Sequence, residues 1–167
     1  MSDNLVVLAF DGADTAAQAL DKVQQLIPTG ASVMTAASLT LKEIGLEDLL
    51  KSKSHLWVNL KDEMLAESDP VKQGALRVQS AMAEYYLGSI HAIAETGEIV
   101  TASNSGSQLA PYAFTSRNVI WVAGTQKIVP TLDAAMRRIR EYSLPHEDER
   151  MKAMGFAKVT TAIGQEN

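Results

Sequence analysis

Apolar residues recur along this chain in two alternating spacings, and the alternation predicts an α/β fold. Residues 5–10 form a continuous apolar run with β-branched members, which is typical of a strand buried on both faces. Residues 16–27 carry apolar side chains at intervals of three and four, and this predicts a helix that Thr15 or Asp14 caps and Pro28 stops. A strand, a helix and a stop signal are the opening of an alternating α/β arrangement.

The same alternation continues after Pro28. Residues 32–36 predict a second strand, and Ser38 can cap a short helix that Gly45 interrupts. Residues 56–60 fit either an edge strand or a loop, because a Trp follows a charged stretch there.

A long helix is predicted to begin at Asp69 and Pro70, a pair that supplies an acidic cap and a proline in the first turn. Its apolar positions follow intervals of four and three and are Val71, Ala75, Val78, Met82 and Tyr85. This spacing predicts a helix that continues to about Gly88 and faces the core.

The second half of the chain predicts one antiparallel hairpin, residues 90–101, with a turn at Glu95-Thr96-Gly97. Residues 118–124 give the clearest pattern of a buried strand. Further helices are predicted over residues 108–114, from Thr131 onward, and over 145–154. The fold class is therefore α/β, with a mixed, mainly parallel sheet flanked by helices.

Length and composition limit the organisation and the class of partner. At 167 residues, with 46% hydrophobic and 21% charged residues, we expect a single folded domain over residues 1–154 and a C-terminal tail over 155–167. The net charge of -5 argues against nucleic-acid binding, which draws its affinity from clustered Lys and Arg. The longest apolar run is too short to cross a bilayer, so we expect a cytoplasmic protein without a membrane partner.

The absence of cysteine excludes several chemistries. With 0 Cys, this sequence provides no disulfide, no thiolate nucleophile and no ligands for an iron–sulfur cluster. His55, His91 and His146 lack metal-ligand spacing. We therefore expect neither a bound metal nor a cofactor, and any electron transfer would need a partner.

Candidate ligand-binding residues lie in loops predicted to follow the strands, because ligands of open α/β sheets collect at the C-terminal ends of the strands. Small polar residues and one lysine in these loops can surround a small anion. The candidate binding residues are Ser38, Thr40, Thr96, Gly97, Ser103, Asn104, Ser105, Gly106, Gly124 and Lys127. Glu95, in the hairpin turn, is the candidate catalytic residue, as a nucleophile or a base.

Simpler interpretations of these residues remain open. Ser38 and Thr40 are also ordinary helix-capping residues, and the loop at 103–107 also suits a plain turn. Glu95 and Lys127 also fit exposed loop positions.

Three blocks of the sequence together resemble the lactate-utilisation (LUD) domain family. They run from Leu26 to Gly45, from Ala92 to Val100 and from Val119 to Thr131, in the order that the family shows. The resemblance implies a fold similar to that of the sugar-phosphate isomerase and CoA-transferase group. It also implies a link to bacterial oxidation of lactate to pyruvate, in an assembly whose other subunits carry iron–sulfur clusters.

The resemblance leaves three functions open for this cysteine-free chain. The first is an accessory or ligand-binding subunit of organic-acid utilisation beside an iron–sulfur or flavin partner. The second is a free-standing enzyme on a small anionic substrate, a sugar phosphate or an acyl-CoA, with Glu95 in the role that a glutamate has in the related transferases. The third is a structural homo-oligomer.

Overall fold

Helices and strands alternate through the first half of the chain in the computed structural model, which describes residues 11–155. The α-helices are α1 (Ala16–Leu26), α2 (Leu39–Glu43), α3 (Leu46–Ser52), α4 (Leu60–Ala66), α5 (Pro70–Ser80), α6 (Leu132–Arg138) and α7 (Leu144–Ala153), and the segments Pro111–Thr115 and Ile139–Ser143 are π-helical. The strands are β1 (Ser32–Thr35), β2 (Val58–Asn59), β3 (Tyr85–Gly88), β4 (Ala92–Ala94), β5 (Ile99–Val100), β6 (Asn118–Trp121) and β7 (Ile128–Val129). The strand predicted over residues 5–10 lies outside the described residues.

Four of these strands form a parallel sheet in the order β2-β1-β3-β6, which we call sheet A. Thr35 of β1 is paired with Leu87 of β3, and Gly88 of β3 is paired with Trp121 of β6. Because the strands are parallel, the loops that follow β1, β3 and β6 all leave sheet A at one edge.

The remaining strands form a second, smaller sheet in the order β5-β4-β7, which we call sheet B. β4 and β5 make the predicted antiparallel hairpin, with Gly97 in its turn at φ 108°. β7 joins the other side of β4 in parallel. The prediction of an antiparallel pair is thus confirmed, although it lies outside the main parallel sheet.

Helices cover both faces of sheet A, and the confirmed fold class follows from this arrangement. On one face, Val33 and Leu87 pack with buried apolar residues of α1, α2 and α3. On the other face, Met34 and Tyr86 pack against side chains of α4. Alternate residues of each strand therefore serve two separate apolar clusters, as expected of a sheet buried on both faces.

Local capping chemistry starts most of these helices where the sequence predicts. The side chains of Thr15, Asp69 and Thr131 accept hydrogen bonds from backbone N–H groups in the first turns of α1, α5 and α6. Gly45 adopts φ 83° between α2 and α3, which confirms the predicted interruption.

The helix predicted from Asp69 to about Gly88 is wrong in its second half. α5 ends at Ser80, and residues 85–88 form β3, a central strand of sheet A. The apolar stripe of α5 is also not core, because Val71 is 81% exposed and Val78 is 71% exposed. The sequence does carry apolar residues at helical spacing up to Tyr85. Residues 85–88 nevertheless form a strand, because β3 pairs with β1 on one side and β6 on the other, and this pairing overrides the helical spacing.

The prediction that residues 118–124 form the most clearly buried strand is wrong in length and in burial. β6 covers only Asn118–Trp121, and its residues are partly exposed, because it lies at the edge of sheet A among the described strands. For residues 56–60 the sequence leaves an edge strand and a loop both open: residues 58 and 59 form β2, the first strand in the order of sheet A, and α4 begins at Leu60. None of the helices in residues 11–155 is long and apolar enough to cross a membrane.

Candidate functional site

Hydrogen bonds tie the loops after β3 and β6 together at the edge where the parallel strands end. The Val122 N–H donates to the Gly88 carbonyl oxygen at 3.0 Å. The Ser89 hydroxyl donates to the Val122 carbonyl oxygen at 2.6 Å. Ser89 is therefore fixed at the point where β3 leaves sheet A.

Lys127 reaches this edge from a 3₁₀ turn, residues 125–127, which precedes β7. Its Nζ donates to the Thr40 Oγ1 at 3.0 Å and to the Ser89 Oγ at 2.7 Å. These two bonds use two of the three N–H donors of the ammonium group. Ser89 is 38 residues and Thr40 is 87 residues from Lys127 along the chain, so the bonds join three distant segments. We call Thr40, Ser89 and Lys127 the lysine cluster.

Burial dominates the electrostatics of the lysine cluster. It lowers the pKa of Lys127 below its ordinary value, and the nearby charge of Arg138 lowers it further, whereas Glu43 acts in the opposite direction. Burial also lowers the pKa of His91, and the charges of Lys127 and Arg138 add to this effect. An anion placed here would offset the desolvation of Lys127 and its repulsion from Arg138.

His91 connects this cationic region to the loop that contains the predicted residues 103–106. Its Nδ1 accepts a hydrogen bond from the Ala102 N–H at 3.2 Å, and the Thr101 hydroxyl lies 3.4 Å from the same atom. An accepting Nδ1 is the arrangement of a neutral ring, which agrees with the lowered pKa of His91.

The loop at 103–108 is held mainly through its own chain. The Gln108 side-chain amide donates to the Ala102 carbonyl oxygen at 2.8 Å, and the Ser105 hydroxyl donates to the Ser107 hydroxyl at 3.0 Å. Gly106 takes φ 72° in the middle of this loop. Ser103 is partly buried and Asn104 is exposed. His91 thus brings the start of this loop toward Lys127, while the bonds within the loop are those of a turn.

Ser38 and Gly124 support the lysine cluster from the backbone side. The Ser38 Oγ accepts a hydrogen bond from the Leu41 N–H at 3.3 Å, so it caps α2, the helix that carries Thr40. The Gly124 carbonyl oxygen accepts from the Lys127 N–H at 3.0 Å and closes the turn. A Cβ at Gly124 would lie 2.1 Å from the Gln126 Oε1, so the flexible Gln126 side chain would have to move to admit a larger residue.

Glu95, Thr96 and Gly97 lie apart from the lysine cluster. All three are exposed at the turn of the hairpin. The Thr96 hydroxyl donates to the Glu98 carboxylate, and this bond lowers the pKa of Glu98. Ala94 is paired with Val129, whereas Lys127 precedes Ile128, the partner of Ile93. Glu95 is therefore about three residues, or roughly 10 Å, farther along sheet B than Lys127.

Sequence reasoning missed two residues that build this edge, Ser89 and Tyr112. The Tyr112 hydroxyl donates to the Ser89 carbonyl oxygen at 3.0 Å, and burial raises the pKa of Tyr112. The Tyr112 hydroxyl oxygen occupies the space beside Gly88, where a Cβ would lie only 1.7 Å from it. The available signal was Gly88-Ser89 itself, a small pair after an apolar run, but the predicted long helix concealed the end of a strand.

Two concavities in residues 11–155 lie away from the lysine cluster. One concavity of about 90 Å³ lies between α4 and α5, where Leu60, Leu76 and Ser80 line it. Another, near Met136 and Arg140, lies against α6. Neither includes a member of the lysine cluster. Within residues 11–155, no group of three or more His, Asp or Glu side chains could hold a metal ion.

Comparison with known proteins identifies the family but no individual relative. Neither a curated protein nor a solved structure matches the chain. The family model described as the LUD domain matches residues 10–163, which include sheets A and B and every helix described above. The chain therefore belongs to the LUD-domain family.

Proposed function

We propose that this LUD-domain protein binds a small organic anion at the lysine cluster, as an accessory or ligand-binding subunit of bacterial lactate-to-pyruvate utilisation. The observation that carries the proposal is the position of the Lys127 ammonium, which two hydroxyls from distant segments hold at the C-terminal edge of a parallel sheet. Ligands of open α/β sheets bind at this edge.

The chemistry of the lysine cluster suits a carboxylate or a phosphate. Lys127 supplies a positive charge with one N–H donor beyond those that Thr40 and Ser89 engage. The partly buried position strengthens its attraction to an anion, because charges interact more strongly where water is partly excluded. Lactate and pyruvate each carry one carboxylate, which a single lysine can bind.

A redox partner follows from the electron balance of the proposed pathway. Oxidation of lactate to pyruvate removes two electrons and two protons, so an electron acceptor must take part. Iron–sulfur clusters are bound through cysteine thiolates, and this sequence contains 0 Cys. We therefore propose that an iron–sulfur or flavin protein accepts the electrons and that this chain binds or positions the organic acid beside it.

Calorimetric titration with lactate, pyruvate and inorganic phosphate tests the anion site. Lys127→Gln should weaken binding of any anion that the wild-type protein binds by about tenfold or more, equivalent to at least about 1.4 kcal/mol. Lys72→Gln is the matched control, because Lys72 is an exposed lysine on α5. Equal affinities in the wild-type protein and in Lys127→Gln would refute the anion site.

Co-purification tests the partner separately. The tagged full chain, expressed in a bacterium that grows on lactate and encodes it, should recover an iron–sulfur or flavin protein from the native lysate. Deletion of the gene that encodes this chain should impair growth of the bacterium on lactate. Recovery of no such protein, together with normal growth on lactate, would overturn the accessory role without affecting the binding result.

A further inference from the structure

A second partly buried lysine lies at the same edge of sheet A as the lysine cluster. Lys61 is in the first turn of α4, where its backbone N–H donates to the Asn59 side-chain oxygen at 3.3 Å. Its Nζ donates to the Thr35 Oγ1 at 3.2 Å. Thr35 is the last residue of β1 and is buried, so Lys61 is anchored at the end of the strand next to β3.

The register of sheet A places the two lysine anchors on one face. Val33 and Leu87 pack in the same apolar cluster, and Thr35 and Ser89 each follow two residues later, on the same side of their strands. Thr35 is paired with Leu87, so Ser89 is one diagonal position away across neighbouring strands. Strand spacing and rise then separate the two anchoring hydroxyl residues by about 8 Å.

The charges around Lys61 leave its burial only partly offset. Burial lowers the pKa of Lys61, and Lys51 acts in the same direction, whereas Glu47 and Asp62 raise it. Glu47 is shared, because its carboxylate also pairs with Lys51 at 3.8 Å. Lys61 thus has donors and charge for a further anionic group, as Lys127 has.

We propose that Lys61 and Lys127 together bind one small organic dianion, with an anionic group at each lysine, across the loop that joins β1 to α2. This loop runs from the end of β1, where Thr35 accepts a hydrogen bond from Lys61, to α2, where Thr40 accepts one from Lys127. The proposal rests on the proposed function and extends it: besides a monocarboxylate at Lys127, the site takes a dianion whose second anionic group reaches Lys61.

Donor counts define what each end of the ligand needs. Lys61 uses one N–H on Thr35, and Lys127 uses two on Thr40 and Ser89. Two donors at Lys61 and one at Lys127 then remain for the ligand. Carboxylate and phosphate share this chemistry, so the ligand is either a dicarboxylate or a phosphorylated carboxylic acid.

Calorimetric titration with a series of straight-chain dicarboxylates, from malonate to suberate, tests the spacing of the two lysines. The wild-type protein should show an affinity maximum at an intermediate chain length, where both carboxylates reach a lysine. At that length, Lys61→Met should lower the affinity about tenfold or more, while reducing lactate affinity much less. Phosphonocarboxylates of matched length distinguish a phosphate at one end from a carboxylate.

Three outcomes separate the two proposals. A selective loss of dicarboxylate binding in Lys61→Met, with Lys72→Gln unchanged, supports the two-lysine site. A flat chain-length series, or equal losses of lactate and dicarboxylate in Lys61→Met, overturns that site and leaves the lysine cluster intact. Unchanged binding in Lys127→Gln overturns the proposed function itself. Lys61→Gln and circular dichroism of each variant show whether a loss reflects unfolding.

Discussion

The lysine cluster and the hairpin turn at Glu95 both contain charged residues in loops, but different kinds of contact hold them. Lys127 is bonded to hydroxyls that are 38 and 87 residues away in the chain. At the hairpin turn, the Thr96 hydroxyl bonds to Glu98, two residues away, and the side chains face solvent. The lysine is thus fixed by the tertiary fold, whereas the geometry of the turn depends on its own backbone.

This difference indicates which charged side chains can bind a ligand with appreciable affinity. A partly buried lysine loses hydration on folding, and a ligand anion can restore favourable interactions that water no longer provides. An exposed carboxylate such as Glu95 keeps its hydration and gains little from the surrounding fold. Two charged loop residues that are equally plausible candidates in the sequence therefore differ in their capacity to bind a ligand.

The largest effect should come from removing the core beneath the lysine cluster. Leu87 is 0% exposed in β3, and Leu87→Ala should lower the free energy of unfolding by about 2–5 kcal/mol because it leaves a cavity. Ile128→Ala in sheet B, at a residue that is 48% exposed, should cost no more than about 1 kcal/mol. Urea denaturation measures both, and equal losses would contradict the contrast between the regions.

A pair of glycine substitutions tests whether the hairpin turn depends on the positive φ of Gly97. Gly97 adopts φ 108°, so Gly97→Ala should destabilise the protein by about 1–2 kcal/mol. Gly74 lies within α5 with open space around its Cβ position, so Gly74→Ala should stabilise it by about 0.5–1 kcal/mol. Thermal unfolding should show shifts of opposite sign, and shifts of the same sign would refute the argument.

A smaller effect should appear in the pH dependence of stability. The pKa of His91 is lower in the folded protein, so the unfolded chain takes up the proton first as the pH falls below about 6.5. Stability should therefore fall in that range, down to the lowered pKa. His91→Asn should flatten this part of the profile, whereas His146→Asn on α7 should retain it. An unchanged profile in His91→Asn would contradict the assignment.

The smallest effect is expected at the hairpin turn. Glu95→Gln should change the free energy of unfolding by no more than about 0.5 kcal/mol and should leave anion binding unaltered, because the side chain is exposed and distant from Lys127. Assays of sugar-phosphate and acyl-CoA turnover complete this test. If the wild-type protein turns over one of these substrates and Glu95→Gln does not, the protein is a free-standing enzyme instead.

Sequence patterns predicted the parts of the fold that depend on neighbouring residues. The caps at Thr15 and Asp69, the interruption at Gly45 and the hairpin turn at Gly97 each follow from a side chain or a glycine acting within a few positions. These signals are local in the sequence and in space.

The central strand β3 and the lysine cluster could not be predicted from neighbouring residues alone, because both depend on contacts between distant parts of the sequence. Residues 85–88 continue a helical apolar spacing, and only pairing with β1 and β6 makes them a strand. Ser89 was missed for the same reason, because its role depends on being at the end of that strand. Thr40 and Lys127 were both predicted as binding candidates, but their direct bond spans 87 residues and has no signature in a single sequence.

The connection from β3 to β4 is only three residues long, and each of its residues is secured. Ser89 bonds to the Val122 carbonyl oxygen, Ile90 is 3% exposed, and the His91 N–H donates to the Val100 carbonyl oxygen at 3.0 Å. The connection is thus bonded at both ends and buried in the middle, and it joins sheets A and B directly. Lys127 bonds to Ser89, the first residue of this connection, and directly precedes β7, so a ligand at Lys127 would bind where the two sheets meet.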